Sequence, residues 1–167
     1  MKKILFLITL LSSFLYSLEL NNVSADFEQT ILNKNNKITY KGKLYFKNNK
    51  NLWEYTTPTQ KKVFLNENLI TIVDDELEQV IFEQLKDEIN ISNILKTAKN
   101  TQNNTYETIY DNVIYTIHIT DDNNIQITYT DNEKNKISLN LTNVMKNQNL
   151  NDKIFQPSYP EEYDIVQ

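Results

Sequence analysis

Apolar and polar residues alternate from Ile38 to Lys47. Ile38, Tyr40, Gly42, Leu44 and Phe46 share one side, and Thr39, Lys41, Lys43, Tyr45 and Lys47 share the other. A period of two is that of a strand with one buried face and one wet face. Lys61–Leu65 and Leu69–Val73 are two further β-branched and aromatic runs around the turn-prone Asn66-Glu67-Asn68, which predicts a hairpin. Gly42 to Gln79 therefore reads as a meander of about four strands. Upstream, Val23, Ala25 and Phe27 alternate with Ser24, Asp26 and Glu28, and Asn35-Asn36 is a plausible turn into the Ile38 strand. Downstream, Val80 and Phe82 continue the sheet before the period changes. Ile91, Ile94, Leu95 and Ala98 fall at i, i+3, i+4 and i+7, one face of a helix with Asn90 as candidate N-cap. Strands are then predicted over 106–110, 113–120, 125–130 and 136–145, and the tail ends in Ile165 and Val166, a short edge strand after Pro157 and Pro160.

Roughly ten antiparallel strands and one helix must curl, close or stack on a second sheet. A curled sheet with a helix across its mouth encloses an apolar space. A β-sandwich leaves a dry core instead, and periodicity alone does not separate the two.

Composition narrows the chemistry. There is no Cys, one His and one Gly in 167 residues, which removes disulfides, a Cys nucleophile, zinc knuckles and glycine-rich phosphate loops. Binding is favoured over catalysis, and no catalytic residue, metal site or cofactor is expected. Lys2 and Lys3 followed by an apolar run from Ile4 to Leu11 and by Ser12–Ser17 have the layout of a signal peptide cut near Ser17. The run is shorter than the ~20 residues that span a bilayer. No Cys follows it, so a lipid anchor is not expected, and residues 18–167 read as a single exported domain. All 17 basic residues are lysines, and two lie in the leader. The remaining 15 face 22 acids, a net charge of −7 that disfavours nucleic acid and anionic headgroups.

Several pieces in order carry a resemblance. Gly42-x-Leu44-x-Phe46 is followed by Leu52-Trp53-x-Tyr55-x-x-Pro58-x-Gln60, an apolar hairpin, and Leu77-Glu78-Gln79-Val80. Ser24-Ala25-Asp26-Phe27-Glu28-Gln29 precedes them and Phe155-x-x-x-x-Pro160-x-x-Tyr163-Asp164-Ile165 closes the chain. This arrangement resembles the LolA family of periplasmic outer-membrane lipoprotein carriers over nearly the whole mature chain. The missing Cys separates it from the related receptor LolB, itself a lipoprotein.

The resemblance implies a mainly β fold: an incomplete antiparallel β-barrel, a curled sheet of about 10–11 strands, with a short helical lid over an apolar cavity. It implies a monomeric periplasmic carrier of acylated lipoproteins. An inner-membrane lipoprotein-releasing ABC transporter (LolCDE-like) is the implied donor, and an outer-membrane receptor or the membrane itself the acceptor. By resemblance, Trp53 and Tyr55 line the cavity. Leu44, Phe46, Val63, Leu65, Ile70, Ile72, Val80, Phe82 and Ile117 are candidate lining, with ordinary core packing an equal reading. Ile91, Ile94 and Leu95 are lid candidates or a plug at one barrel end.

Three departures stand out: Asn48-Asn49 replace the family's usual Arg-Pro and the chain has no Arg; Asn51 replaces a Phe; and little chain precedes Val23. The absent Arg leaves open how a lid is locked. His118 alternates with Ile117 and Ile119 and is expected to face solvent. Asp74-Asp75-Glu76 reads as a solvated turn, and Glu78-Gln79 as structural, bonding backbone at a strand start. The rival architecture is a secreted β-sandwich for binding or adhesion, without a lipid cavity.

Overall fold

The computed structural model describes residues 22–34, 36–84, 94–95 and 97–166. The leader at 1–17, lid candidate Ile91 and N-cap candidate Asn90 lie outside them. Twelve strands form one sheet: β1 (Val23–Asn33), β2 (Asn36–Lys47), β3 (Lys50–Thr57), β4 (Lys61–Asn66), β5 (Leu69–Asp74), β6 (Gln79–Gln84), β7 (Lys99–Gln102), β8 (Thr105–Tyr110), β9 (Val113–Asp121), β10 (Asn124–Thr130), β11 (Lys136–Met145) and β12 (Asp164–Val166). Their order is β12-β6-β5-β4-β3-β2-β1-β11-β10-β9-β8-β7. All neighbours are antiparallel except β12, which runs parallel to β6. A single sheet rules out the two-sheet sandwich.

The sheet stays unclosed, with β12 and β7 as its edges, yet its limbs meet. Trp53 and Tyr55 of β3 pack with Ile127 of β10 and Tyr115 of β9 around one core, although five strand-to-strand steps separate β3 from β9 in the sheet order. Only a sheet that curls back on itself brings them together.

Turns in this nearly glycine-free chain are made by other residues. Eleven non-glycine positions among the described residues have positive φ, and six are Asn. Asn enters the left-handed region most readily after Gly, because its short amide bonds the local backbone. Asp111 and Asn112, with φ of 47° and 60°, join β8 to β9 in the way a right-twisted hairpin requires. The abundant Asn is thus partly turn chemistry.

Two apolar layers result. The first fills the concave side: Val23, Ala25, Phe27, Leu44, Phe46, Ile117, Ile127, Leu139 and Leu141 are buried there with Ile94, Leu95 and Ala98. Ile94, Leu95 and Thr97 carry helical backbone, and Thr97 Oγ1 lies 3.0 Å from Thr108 Oγ1 of β8. The second layer lies on the opposite side of β3–β6, where Leu52, Phe64, Val73 and Val80 are covered by the C-terminal tail through Phe155, Tyr159 and Tyr163. A 3₁₀ turn, Asp152–Phe155, capped by Asn151, inserts Phe155. Lys47 and Lys50 hold Asp152 at 3.1 and 3.2 Å, and Asn66 donates to the Phe155 carbonyl at 3.0 Å. None of the described helices is long and apolar enough to cross a membrane.

Candidate functional site

The aromatic run of β3 is the centre of the concave face. Trp53 and Tyr55 alternate with Glu54, and the register sets Trp53 beside Leu44 and Val63, and Tyr55 beside Gly42 and Lys61. Phe27 of β1 packs edge-on against both rings, at 5.0 Å from Trp53 and 5.1 Å from Tyr55. Trp53 and Tyr55 stack at 6.3 Å, and Tyr40 meets Tyr55 edge-on at 5.8 Å. Such geometries match the ring quadrupoles. The chain's one glycine lies beneath them. A Cβ on Gly42 would collide with the Glu54 carbonyl and press on the Phe27 ring, and the β2–β3 register shifts at that point.

Beside this cluster is a cavity of about 250 Å³ between the two limbs of the sheet. Trp53, Tyr55, Val63, Leu65 and Ile70 form one wall, and Ile127, Leu139, Tyr115 and Tyr129 form the other. Ile94 lies over the gap, and Gln29 and Asn51 supply the polar groups. Tyr115 and Tyr129 pack at 4.6 Å. Burial, with Tyr40 nearby, pushes the Tyr55 phenol up to about 12. Burial, with Tyr115 and Asp131 next in effect, pushes Tyr129 up to about 12. Both phenols are therefore neutral hydrogen-bond donors at any ordinary pH.

The candidate residues divide into four groups. Trp53, Tyr55, Val63, Leu65, Ile70 and Ile94 reach the cavity. Leu44, Phe46, Ile117 and Leu95 are on the same side but are buried in the core beneath it. Ile72 shares the face by its pairing with Val63 without being among the lining residues. Val80 and Phe82 are corrected: they pair with Val73 and Thr71 and lie on the opposite face, under the C-terminal tail. The period of two is right for that strand, but its phase cannot be read when both faces are apolar.

The residues missed, Gln29, Asn51, Tyr115, Ile127, Tyr129 and Leu139, belong mostly to the far limb. Tyr115 and Ile117 share a sequence period, and so do Ile127 and Tyr129, so a search for aromatics in phase with the inward residues finds the two tyrosines. Asn51 occupies the position where the Phe is replaced, and it is buried against the cavity.

A larger hollow of about 700 Å³ is open to solvent and has a mixed lining, with Leu32, Val113, Ile114 and Ile137 beside the hydroxyls of Thr30, Thr116, Thr128, Thr130 and Ser138.

The remaining polar candidates are structural. His118 is exposed, with Nδ1 3.2 Å from Thr105 Oγ1. Asp74 Oδ1 accepts from the backbone of Glu76 and Leu77, at 3.2 and 3.1 Å, closing an exposed turn. Glu78 accepts the Asp164 amide on its carbonyl at 2.9 Å, so its backbone, not its carboxylate, starts the β6–β12 pairing. Among the described residues no group of three or more His, Cys, Asp or Glu could hold a metal ion.

Comparison with known proteins gives one answer from sequence. The profile of the family described as outer membrane lipoprotein carrier protein LolA matches residues 19–126. The outer-membrane lipoprotein carrier protein of Campylobacter jejuni is 34% identical over 99% of both chains. That of Helicobacter hepaticus is 33% identical over 92% of this chain and 88% of its own. Among solved structures, a LolA superfamily protein from Nitrosomonas europaea superposes with a TM-score of 0.50 at 11% identity, covering 83% of this chain and 91% of that one. An uncharacterised conserved protein from Thermus thermophilus superposes at 0.54 and 10% identity, covering 87% and 90%. At such identities the structural matches speak for the fold alone.

Proposed function

The chain belongs to the LolA family of outer-membrane lipoprotein carrier proteins, and from that premise we propose that the cavity beside Trp53 receives the acyl chains of the lipoproteins it carries. The carrier role follows from the family. The assignment of this cavity rests on one observation: it is a gap between two apolar limbs of a sheet that has not closed. A closed, fully packed core could not admit and release a chain.

The physical need is plain. Each methylene left in water costs about 0.8 kcal/mol, so a multiply acylated protein does not cross an aqueous compartment unaided. Covering the chains and giving them up again involves no covalent step, only an acceptor that binds them better than the carrier does. The family is one of carriers and not of enzymes, and we assign this chain no catalysis. We place it in the periplasm, working between an inner-membrane lipoprotein-releasing ABC transporter and an outer-membrane receptor or the outer membrane itself. Ile94 and Leu95 are proposed as the inner face of a helical lid.

The test is release. Purified mature protein is added to spheroplasts and the lipoprotein in the supernatant is counted. Wild type is expected to bring lipoprotein out in soluble complex, and Trp53→Glu, which puts a charge in the apolar wall, is expected to abolish release while remaining folded. Release by the Trp53→Glu protein at the wild-type level would remove Trp53 from the site. No release by folded wild type with a compatible donor would sink the reading.

A further inference from the structure

The cavity lies over an apolar core that includes Leu44, Phe46 and Leu95, each buried to within 1% of full burial. The alternation of β4 that sends Val63 and Leu65 to the cavity wall also sends Lys61, just outside that wall, to the concave face, while Lys62 and Phe64 take the other. Lys61 pairs with Tyr55 across the β3–β4 register, and its Nζ lies 5.1 Å from the Tyr55 ring centroid and 5.7 Å from that of Tyr40. Tyr40 pairs in turn with Gln29, which lines the cavity with Tyr55 and Tyr129. All but the cavity's deepest groups here are half-buried.

A lysine placed between two ring faces is attracted by their quadrupoles, but a ring face leaves most of the ammonium's three donors uncommitted. Asp74 stands opposite Lys61 in the β4–β5 register but turns its Oδ1 to the Glu76 and Leu77 amides, and among the described residues no carboxylate forms a salt bridge with the lysine. The neighbouring phenols and the Gln29 amide are also donors. The wall of an apolar cavity thus carries donors on Gln29, Tyr55 and Tyr129, with the Lys61 charge beside Tyr55.

We propose that Lys61, held by Tyr40 and Tyr55 and flanked by Tyr129 and Gln29, is a polar collar that binds the oxygen-bearing head of an acyl-chain ligand whose tail occupies the cavity. The proposal rests on the cavity reading above and adds to it a head-group preference and the residue that sets it. The matching chemistry is an acyl carbonyl or carboxylate at the end of a hydrocarbon chain. A quaternary ammonium head is excluded by charge and offers no acceptor. Two sources carry that chemistry, the glyceryl ester of a lipoprotein anchor and a free fatty acid.

Trp53, the only tryptophan in the chain, lines the cavity and reports its occupancy. The mature protein is titrated by fluorescence and calorimetry with monolauroylglycerol, dodecanoate and dodecyltrimethylammonium, which share chain length and differ in head. Wild type is expected to bind the two oxygen-bearing ligands about tenfold or more tighter than the ammonium, the size of one charge-assisted hydrogen bond. Lys61→Met, which keeps the stem on the rings, is expected to erase that preference, weakening the oxygen-bearing ligands and tightening the ammonium ligand, whose like-charge repulsion is removed. Lys62→Met, on the opposite face of the same strand, is expected to leave it intact. Loss confined to dodecanoate assigns the collar to free carboxylates, and loss for the ester as well assigns it to glyceride anchors. An undiminished preference in Lys61→Met, or equal binding of all three ligands by wild type, overturns the collar while leaving the cavity reading in place. Binding of none by folded wild type overturns both.

Discussion

Gly42 shows how a single residue can hold the site together. It lies in mid-strand, where glycine normally weakens a sheet, and it is kept because the Glu54 carbonyl and the Phe27 ring occupy the space a side chain would need. Gly42→Ala must push back either the β3 backbone or the aromatic cluster. Overpacking of this kind costs about 1–3 kcal/mol, and chemical denaturation should show a loss in that range together with a changed Trp53 emission. Tyr55 allows a second prediction at this scale. Its phenol, like that of Tyr129, is raised to about 12 in the folded state against about 10 in an unfolded chain. Between those values the folded state holds more protons than the unfolded one, so stability falls as pH rises through the window and is fully present below it. Tyr55→Phe removes one of these titrations, and its stability should therefore decline less steeply than that of wild type between pH ~10 and ~12. Denaturant midpoints measured across that range give the slope.

Among the elements, the C-terminal tail gives the sheet its second core. Phe155, 1% exposed, lies over Leu52, Phe64, Val73 and Val80, and the exposed pairing of Asp152 with Lys47 and Lys50 only marks where the tail crosses β2 and β3. Phe155→Ala should cost about 3–5 kcal/mol, the range for a large aromatic truncated in a core. Asp152→Asn should change little, because exposed ion pairs contribute little. Equilibrium unfolding of the two variants tests the contrast, and equal losses would mean that the charges and not the ring hold the tail. The same element explains where sequence reading succeeded and failed. β2, β9, β10 and β11 each present one apolar face, and their boundaries and phases follow from alternation. In Val63-Phe64-Leu65 and Ile70-Thr71-Ile72-Val73 both faces are apolar or shielded, because cavity and tail cover opposite sides. Nothing in the local pattern then tells Val80 and Phe82 that they belong under the tail. β7, Lys-Asn-Thr-Gln, has no apolar residue at all and is a strand only because β8 offers it an edge. The parallel pairing of β12 is equally a gift of tertiary structure, since Ile165 and Val166 announce a strand but not its partner.

At the scale of the whole molecule, the size of the cavity sets the question. If a methylene fills about the ~30 Å³ share of a water molecule in the liquid, a space of about 250 Å³ admits about eight. That is roughly half of one long acyl chain, far short of the two or three on a lipoprotein. By that measure, covering a whole chain calls for the cavity to widen on loading. The topology offers a way, because the sheet is open between β12 and β7 and within it the limb carrying Trp53 joins the limb carrying Tyr129 through β2, β1 and β11 at its base. Parting the limbs breaks packing across the cavity but no strand pairing. Chain length provides the measurement. In a rigid cavity, affinity for a series of single-chain esters would climb by about fourfold per methylene, equivalent to ~0.8 kcal/mol, and stop near eight carbons. Widening keeps the climb going toward sixteen, with a smaller gain per carbon because each added increment must also separate the limbs. We expect the second curve. A plateau at about eight carbons in calorimetry would mean that the limbs do not part around a single chain, and that cargo chains are covered only in part.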